Sequence, residues 1–192
     1  VLGIIFGALS FWNGAVVVAT IPILFIMAIL SKHRLEYLII AVLGTGLTLL
    51  ETAFFMGPGA SAADPRISVG FLADSKGFVS IIKYYIELLG IMPFVLIAGL
   101  IMIPKGGRWL SLAFLTPLIF ATTMELTPDM AVNHKYVIMS VVLLNIFAAY
   151  FIYRLFTNKK VITKIIAVVL LTTMTATGYV DFITLKNIDN GG

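Results

Sequence analysis

A chain of 192 residues that is 60% hydrophobic and only 11% charged lies outside the composition of a water-soluble domain. It contains no cysteine, which excludes disulfides, thiolate metal centres and cysteine nucleophiles. The net charge of +4 does not argue for a nucleic-acid partner. Eight of the 13 Lys and Arg stand in three short links between apolar runs, against one acid there, Glu36, which is the pattern by which basic residues set membrane topology and meet anionic lipid.

The chain opens on Val1 inside an apolar run. Residues 1–11 are too short to span and lack the basic flank of a signal peptide, so they read as the end of an earlier helix, or an interfacial segment, of a longer protein. A spanning helix needs about 20 mostly apolar residues. The first such run covers residues 13–30, opened by Asn13-Gly14 and closed by Ser31-Lys32. The second covers 37–56 and stops at Gly57-Pro58-Gly59, a strong helix breaker. A long link over 57–77 contains Asp64-Pro65 and Asp74. The third run, 78–103, is longer than a span requires and holds Pro93, which predicts a kink there.

Pro104-Lys105-Gly106-Gly107-Arg108 predicts a tight turn before a fourth helix over 109–125, which contains Pro117. A short polar link, 126–134, precedes a fifth helix over 135–153, and a sixth covers 161–180. Trp109, Tyr136, Tyr153 and Tyr179 stand near span ends, where aromatic side chains favour the interface. Gly44 and Gly46 lie within an apolar helix and suit close helix packing; the threonines at 172, 173, 175 and 177 suit hydrogen bonds between helices. The whole reads as one all-α polytopic transmembrane bundle of about six spanning helices, a single transmembrane domain over 1–192 belonging to a longer protein.

Orientation follows from charge. Lys32 and Arg34, then Lys105 and Arg108, then Arg154, Lys159, Lys160 and Lys164 place their links in the cytoplasm. Links 57–77 and 126–134 and the C-terminal tail then face outward. On that outer side fall Asp64, Asp74, Glu87, Glu125, Asp129 and Asp181. Glu51 is distinct, because about 21 Å of helix at 1.5 Å per residue lifts it into the outer third of the membrane. A carboxylate at that depth faces a partner, a cavity or a substrate path.

The densest polar stretch joins the fourth and fifth helices. Glu125 and Asp129 offer oxygen ligands to a divalent metal. Asn133, His134 and Lys135 stand where the fifth helix is expected to begin, and a helix N-terminus with an adjacent ammonium suits an anion such as phosphate. The plainer alternative makes Asn133 an N-cap and lets Lys135 reach the headgroups. With His33 and His134 as the only histidines, a histidine metal site is not expected.

Three stretches in order carry a family likeness. They are Tyr84-Tyr85-Ile-Glu-Leu-Leu-Gly90, then Pro128-Asp129 with Asn133-His134-Lys135-Tyr136, then Ala148-Ala149-Tyr150 through Arg154; Gly178-Tyr-Val-Asp181 also fits. Over about residues 78–185 the chain resembles the later membrane helices of GT-C-like glycosyltransferases, in which an Asp-Asn-x-Lys-Phe-like motif opens a late helix. Here Met-Ala-Val separates Asp129 from Asn133. The resemblance implies a sugar donor linked to a polyprenyl phosphate, arriving from the membrane on the outer face. It assigns Asn133, His134 and Lys135 to the donor phosphate or to structure, and it places the family's main acid in an outer loop upstream of this stretch. Two other readings stand beside it: a transporter or channel component with Glu51 in its pathway, and a non-catalytic scaffold presenting its outer loops. Membrane lipid is a partner in all three.

Overall fold

The computed structural model describes residues 1–55, 66–73, 76–125 and 130–189. Its described residues form eight helices and one short strand pair. In chain order these are α1 (Leu2–Ala8), α2 (Ser10–Leu30), α3 (Arg34–Phe55), β1 (Arg66–Ile67), α4 (Phe78–Leu89), α5 (Met92–Met102), α6 (Lys105–Thr123), β2 (Met124–Glu125), α7 (Met130–Phe156) and α8 (Val161–Asp189). Ser10–Leu30, Arg34–Phe55 and Val132–Phe156 are each long and apolar enough to cross a membrane, and the pair α4–α5 qualifies as a fourth if counted as one bent span. Only 11% of the apolar window of α3 is buried. In water such faces would be a large sticky surface; in hydrocarbon a helix that satisfies its own backbone is the stable state.

Two compact units emerge, residues 1–84 with 104–144, and residues 85–103 with 145–192. In the first, α1 packs on α3 through small residues. A side-chain carbon added at Gly3 would lie 2.9 Å from Cβ of Leu43, and one at Gly7 would lie 2.6 Å from Cβ of Leu47. Phe6 occupies the space a side chain at Gly44 would need, whereas Gly46 faces open space. The expectation of close packing thus holds for one of the two glycines. The backbone leaves helical geometry at Asn13 (φ −156°, ψ 88°), the residue at which the first span was expected to open. Alanines 19, 28, 41, 113 and 121 are all buried, and such small side chains let membrane helices approach closely.

In the second unit, Val95 of α5, Ala148 and Ile152 of α7 and Ala167 of α8 form the core. α5 meets α7 so closely that a side chain at Gly99 would strike the carbonyl oxygen of Phe147.

Several boundaries differ from expectation for identifiable reasons. The run 78–103 is not one helix kinked at Pro93 but two helices meeting at 89°. Gly90 takes φ +56° and its N–H bonds the Ile86 carbonyl at 2.8 Å, a glycine stop. Pro93 then sits in the first turn of α5, where its missing N–H costs nothing. The expected turn over 104–108 is already helix, since α6 begins at Lys105 with Pro104 as its N-cap. α7 starts at Met130 and α8 continues to Asp189, both beyond the expected limits. Tyr136 is not interfacial: it is 2% exposed and packs edge-on against Phe120 with ring centres 5.4 Å apart. The hydroxyls of Thr173 and Thr175 turn back onto Val169 and Leu171 carbonyls of their own helix rather than bonding across helices.

Candidate functional site

The polar residues of the α6–β2–α7 segment come together in the first unit. α6 ends in β2, whose Met124 and Glu125 pair antiparallel with Ile67 and Arg66 of β1. Two further bonds, from the N–H of Ser68 to the Thr123 carbonyl (2.9 Å) and of Gly70 to the Thr122 carbonyl (2.8 Å), fasten the long link to the end of α6. Gly70 holds φ +74°, a turn conformation that glycine adopts without strain. This small pairing gives α6 partners for carbonyls that a helix end leaves free.

Asn133 is fully buried. Its Nδ2 donates to the Met124 carbonyl at 2.6 Å and, longer, to the Ala121 carbonyl at 3.5 Å, while its Oδ1 is buried without a hydrogen bond. Asn133 therefore closes the C-terminal end of α6 and is not the N-cap of its own helix. Because α7 begins at Met130, Asn133, His134 and Lys135 lie beyond its first residues, and the later amides of a helix bond the carbonyls four residues back. Asn133, His134 and Lys135 thus stand three to five residues inside α7 rather than at its first residue, where the sequence had them. A second fastening comes from Ser140, whose hydroxyl donates to the Phe114 carbonyl at 2.6 Å. Nearby, Pro117 lacks the N–H that would bond Ala113, and the Thr116 hydroxyl takes that carbonyl at 2.6 Å.

His134 is half-buried, with Nε2 2.7 Å from the Tyr84 hydroxyl; the imidazole tautomer sets which atom donates. Lys135, the next residue, is exposed. Glu125 makes a two-point pair with Arg66, at 2.6 Å to the η2 nitrogen and 3.0 Å to the ε nitrogen. That guanidinium, joined by charge from Lys76 and a hydrogen bond from Ser68, holds the Glu125 carboxyl below its usual value of 4.5 against the opposing effect of burial. Glu125 is thus engaged by a cation already. Asp129, the other oxygen ligand expected for a metal, lies outside the described residues, as do Asp64 and Asp74. Among the described residues, no group of three or more His, Asp or Glu gathers in a way that could hold a metal ion.

The paired carboxylate has a measurable consequence. A carboxyl whose pKa is lowered by folding contributes stability above its unfolded value, and the contribution is lost as the pH falls through the folded value. Wild type and Arg66→Gln are therefore expected to differ in thermal stability at pH 7 and to converge as the pH falls below the ordinary carboxylate range. A difference that persists undiminished in acid would mean that Arg66 acts through packing alone.

Glu51 sits one turn before the end of α3. It is 9% exposed, and its Oε2 is buried without a hydrogen bond. The neighbouring hydroxyls are spent on their own helix, Thr48 on the Gly44 carbonyl and Thr52 on the Thr48 carbonyl.

No protein family, curated protein or solved structure matches this chain. The site is therefore read from its own chemistry. Sequence reasoning selected Glu125, Asn133, His134 and Lys135 but missed Arg66, whose partner is 59 residues away. It saw no role for Tyr84 in holding His134. A two-residue strand inside a long link leaves no periodic signal, and the Tyr84–His134 pair joins two helices 50 residues apart, so neither pairing was legible.

Proposed function

We propose that this chain is the later transmembrane part of a GT-C-like glycosyltransferase that draws on a polyprenyl-phosphate-linked sugar at the outer membrane face. In this reading α2, α3, the bent pair α4–α5, α6, α7 and α8 make six crossings. The three basic links face the cytoplasm, and the β1–β2 end and the C-terminal tail face outward. One observation supports it above others. The two residues before Lys135 are each fastened to another element, Asn133 to Met124 and His134 to Tyr84, leaving Lys135 as an exposed cation beside them. A phosphate leaving group gains most from a donor already in position when its charge develops.

A second reading rests on Glu51. A buried carboxylate oxygen without a partner, in a helix able to cross the membrane, suits a proton or cation path. One preparation separates the two. With the intact protein in proteoliposomes, Lys135→Ala is expected to lower sugar transfer from a polyprenyl-phosphate donor by about 100-fold or more, the scale of losing one preorganised donor, with Glu51→Gln near wild type. Unchanged transfer in Lys135→Ala removes the proposed role, and a proton or cation flux abolished by Glu51→Gln favours the second reading.

A further inference from the structure

We infer that the second unit carries a binding groove for one anionic phospholipid, with an acyl chain between α7 and α8 and the headgroup phosphate at the basic turn that joins them. The groove is open to the surroundings, holds about 420 Å³ and is lined by Ala149, Ile152 and Phe156 of α7 and Leu171 and Met174 of α8, with Asn145 among its lining residues. That volume falls in the range of small-ligand sites, about 300–1,000 Å³, and its walls are mostly apolar, with polar groups only on Asn145, Tyr153 and Thr175.

The dimensions fit a lipid tail. From Phe156 to Asn145 the helix rises about 16 Å at 1.5 Å per residue, close to half of a hydrocarbon core about 30 Å thick. The groove therefore runs the depth of a single leaflet. Phe156 stands at the turn and Asn145 near the bilayer centre, where its amide marks the limit of the apolar stretch.

Charge identifies the headgroup. Arg154 precedes Phe156, at the turn end of the groove, by two positions, Lys159 and Lys160 lie in the turn, and Lys164 follows in the first turns of α8. All four are exposed. The turn itself is ordered, with the N–H of Lys160 bonded to Asn158 Oδ1 at 3.1 Å and the Thr163 hydroxyl to the Lys160 carbonyl at 2.7 Å. Four cations on an ordered turn above an apolar slot of one leaflet's depth match a lipid that carries a phosphate charge and an acyl chain. Basic pockets between membrane helices bind anionic headgroups on this physical basis. The inference requires α7 to cross the bilayer but not the outer-face reaction proposed above, so loss or retention of sugar transfer leaves it intact.

The test uses the protein reconstituted with phosphatidylglycerol or phosphatidylcholine and released into detergent for native mass spectrometry. Phosphatidylglycerol is expected to stay bound preferentially. At about five-fold per basic residue near the surface, Lys159→Gln with Lys160→Gln lowers its retention about 25-fold without changing that of phosphatidylcholine. These two side chains are exposed, so the double variant reads charge without disturbing the fold. Ala149→Trp, which fills the slot, lowers retention of both lipids. A benzophenone side chain at position 149 is expected to label phospholipid. Equal retention of the two lipids by wild type overturns the proposal, as does labelling of a second copy of the chain or of another protein at position 149.

Discussion

Asn133→Asp is expected to destabilise the protein by about 3 kcal/mol, the largest effect of any near-isosteric change in the α6–α7 contact. The amide nitrogen of Asn133 lies 2.6 Å from the Met124 carbonyl in a fully buried position. A carboxylate there has no hydrogen to give. It sets one acceptor against another in a dry environment, and a buried polar group left unpaired costs about 1–3 kcal/mol, more when charged. Asn133→Ala removes the donor without adding charge, and its expected cost is about 1–2 kcal/mol. The comparison that gives these numbers meaning is Lys135→Ala. Lys135 is exposed, and such a substitution changes stability by no more than about 0.5 kcal/mol. Thermal unfolding in detergent, followed by loss of helical signal, reads all three. If Asn133→Asp unfolds with wild type, the bond to Met124 is not what joins α6 to α7, and Asn133 becomes free to act as a ligand-binding residue.

That contrast also shows what the sequence could and could not reveal. The long helices were legible because a run of about 20 apolar residues has few alternatives in hydrocarbon. Asn13-Gly14 marks a break inside the first span rather than its start, since α2 already begins at Ser10. The helix ends were less legible, because glycine and proline each have more than one use. Gly90 ends α4 in the left-handed conformation and Pro93 begins α5, yet in the sequence both fall inside one apolar run, and the proline drew the expected kink three residues too late. The polar cluster showed the same division. Composition picks out Asn133, His134 and Lys135 as a group, but a helix starting at Met130 instead of 135 turns one of them inward to cap α6, one toward Tyr84 and one to solvent. Residue type predicted the company; register decided the roles.

Glu51 illustrates the opposite case, where depth alone carried the reading. A single acid among Leu, Thr and Phe near the end of an apolar helix is conspicuous in one dimension, and the structure buries it with one oxygen unpartnered. Arg66 and Glu125 are separated by 59 positions; Arg66 stands in a long link, and Glu125, expected to end the fourth helix, lies in β2 beyond the end of α6 at Thr123. Pairs of that kind are set by tertiary contact, which a single chain does not display.

Gly99→Val is expected to be the most disruptive change in the second unit. The first carbon of any side chain at this position would strike the Phe147 carbonyl oxygen and lie 3.0 Å from its carbonyl carbon, with Phe151 close behind. These are backbone atoms of α7, so relief requires the helices to separate. Overpacking a filled interior costs about 1–3 kcal/mol, and Val, with a branch at that same carbon, belongs at or above the upper end. Gly99→Ala is expected to cost less, since alanine recovers about 0.5–1 kcal/mol of helix propensity. Gly46→Ala in α3 is the control: a side chain there meets nothing within 4 Å, so the same gain in propensity should appear without the clash. The consequence reaches beyond stability. α5 has 11 residues, about 16 Å at 1.5 Å per residue, too short to cross a bilayer alone, so its position depends on contact with α7. Limited proteolysis between α5 and α6 is therefore expected to accelerate in Gly99→Val and to remain at the wild-type rate in Gly46→Ala. Equal rates in both variants would show that α5 is held by something other than its approach to Phe147.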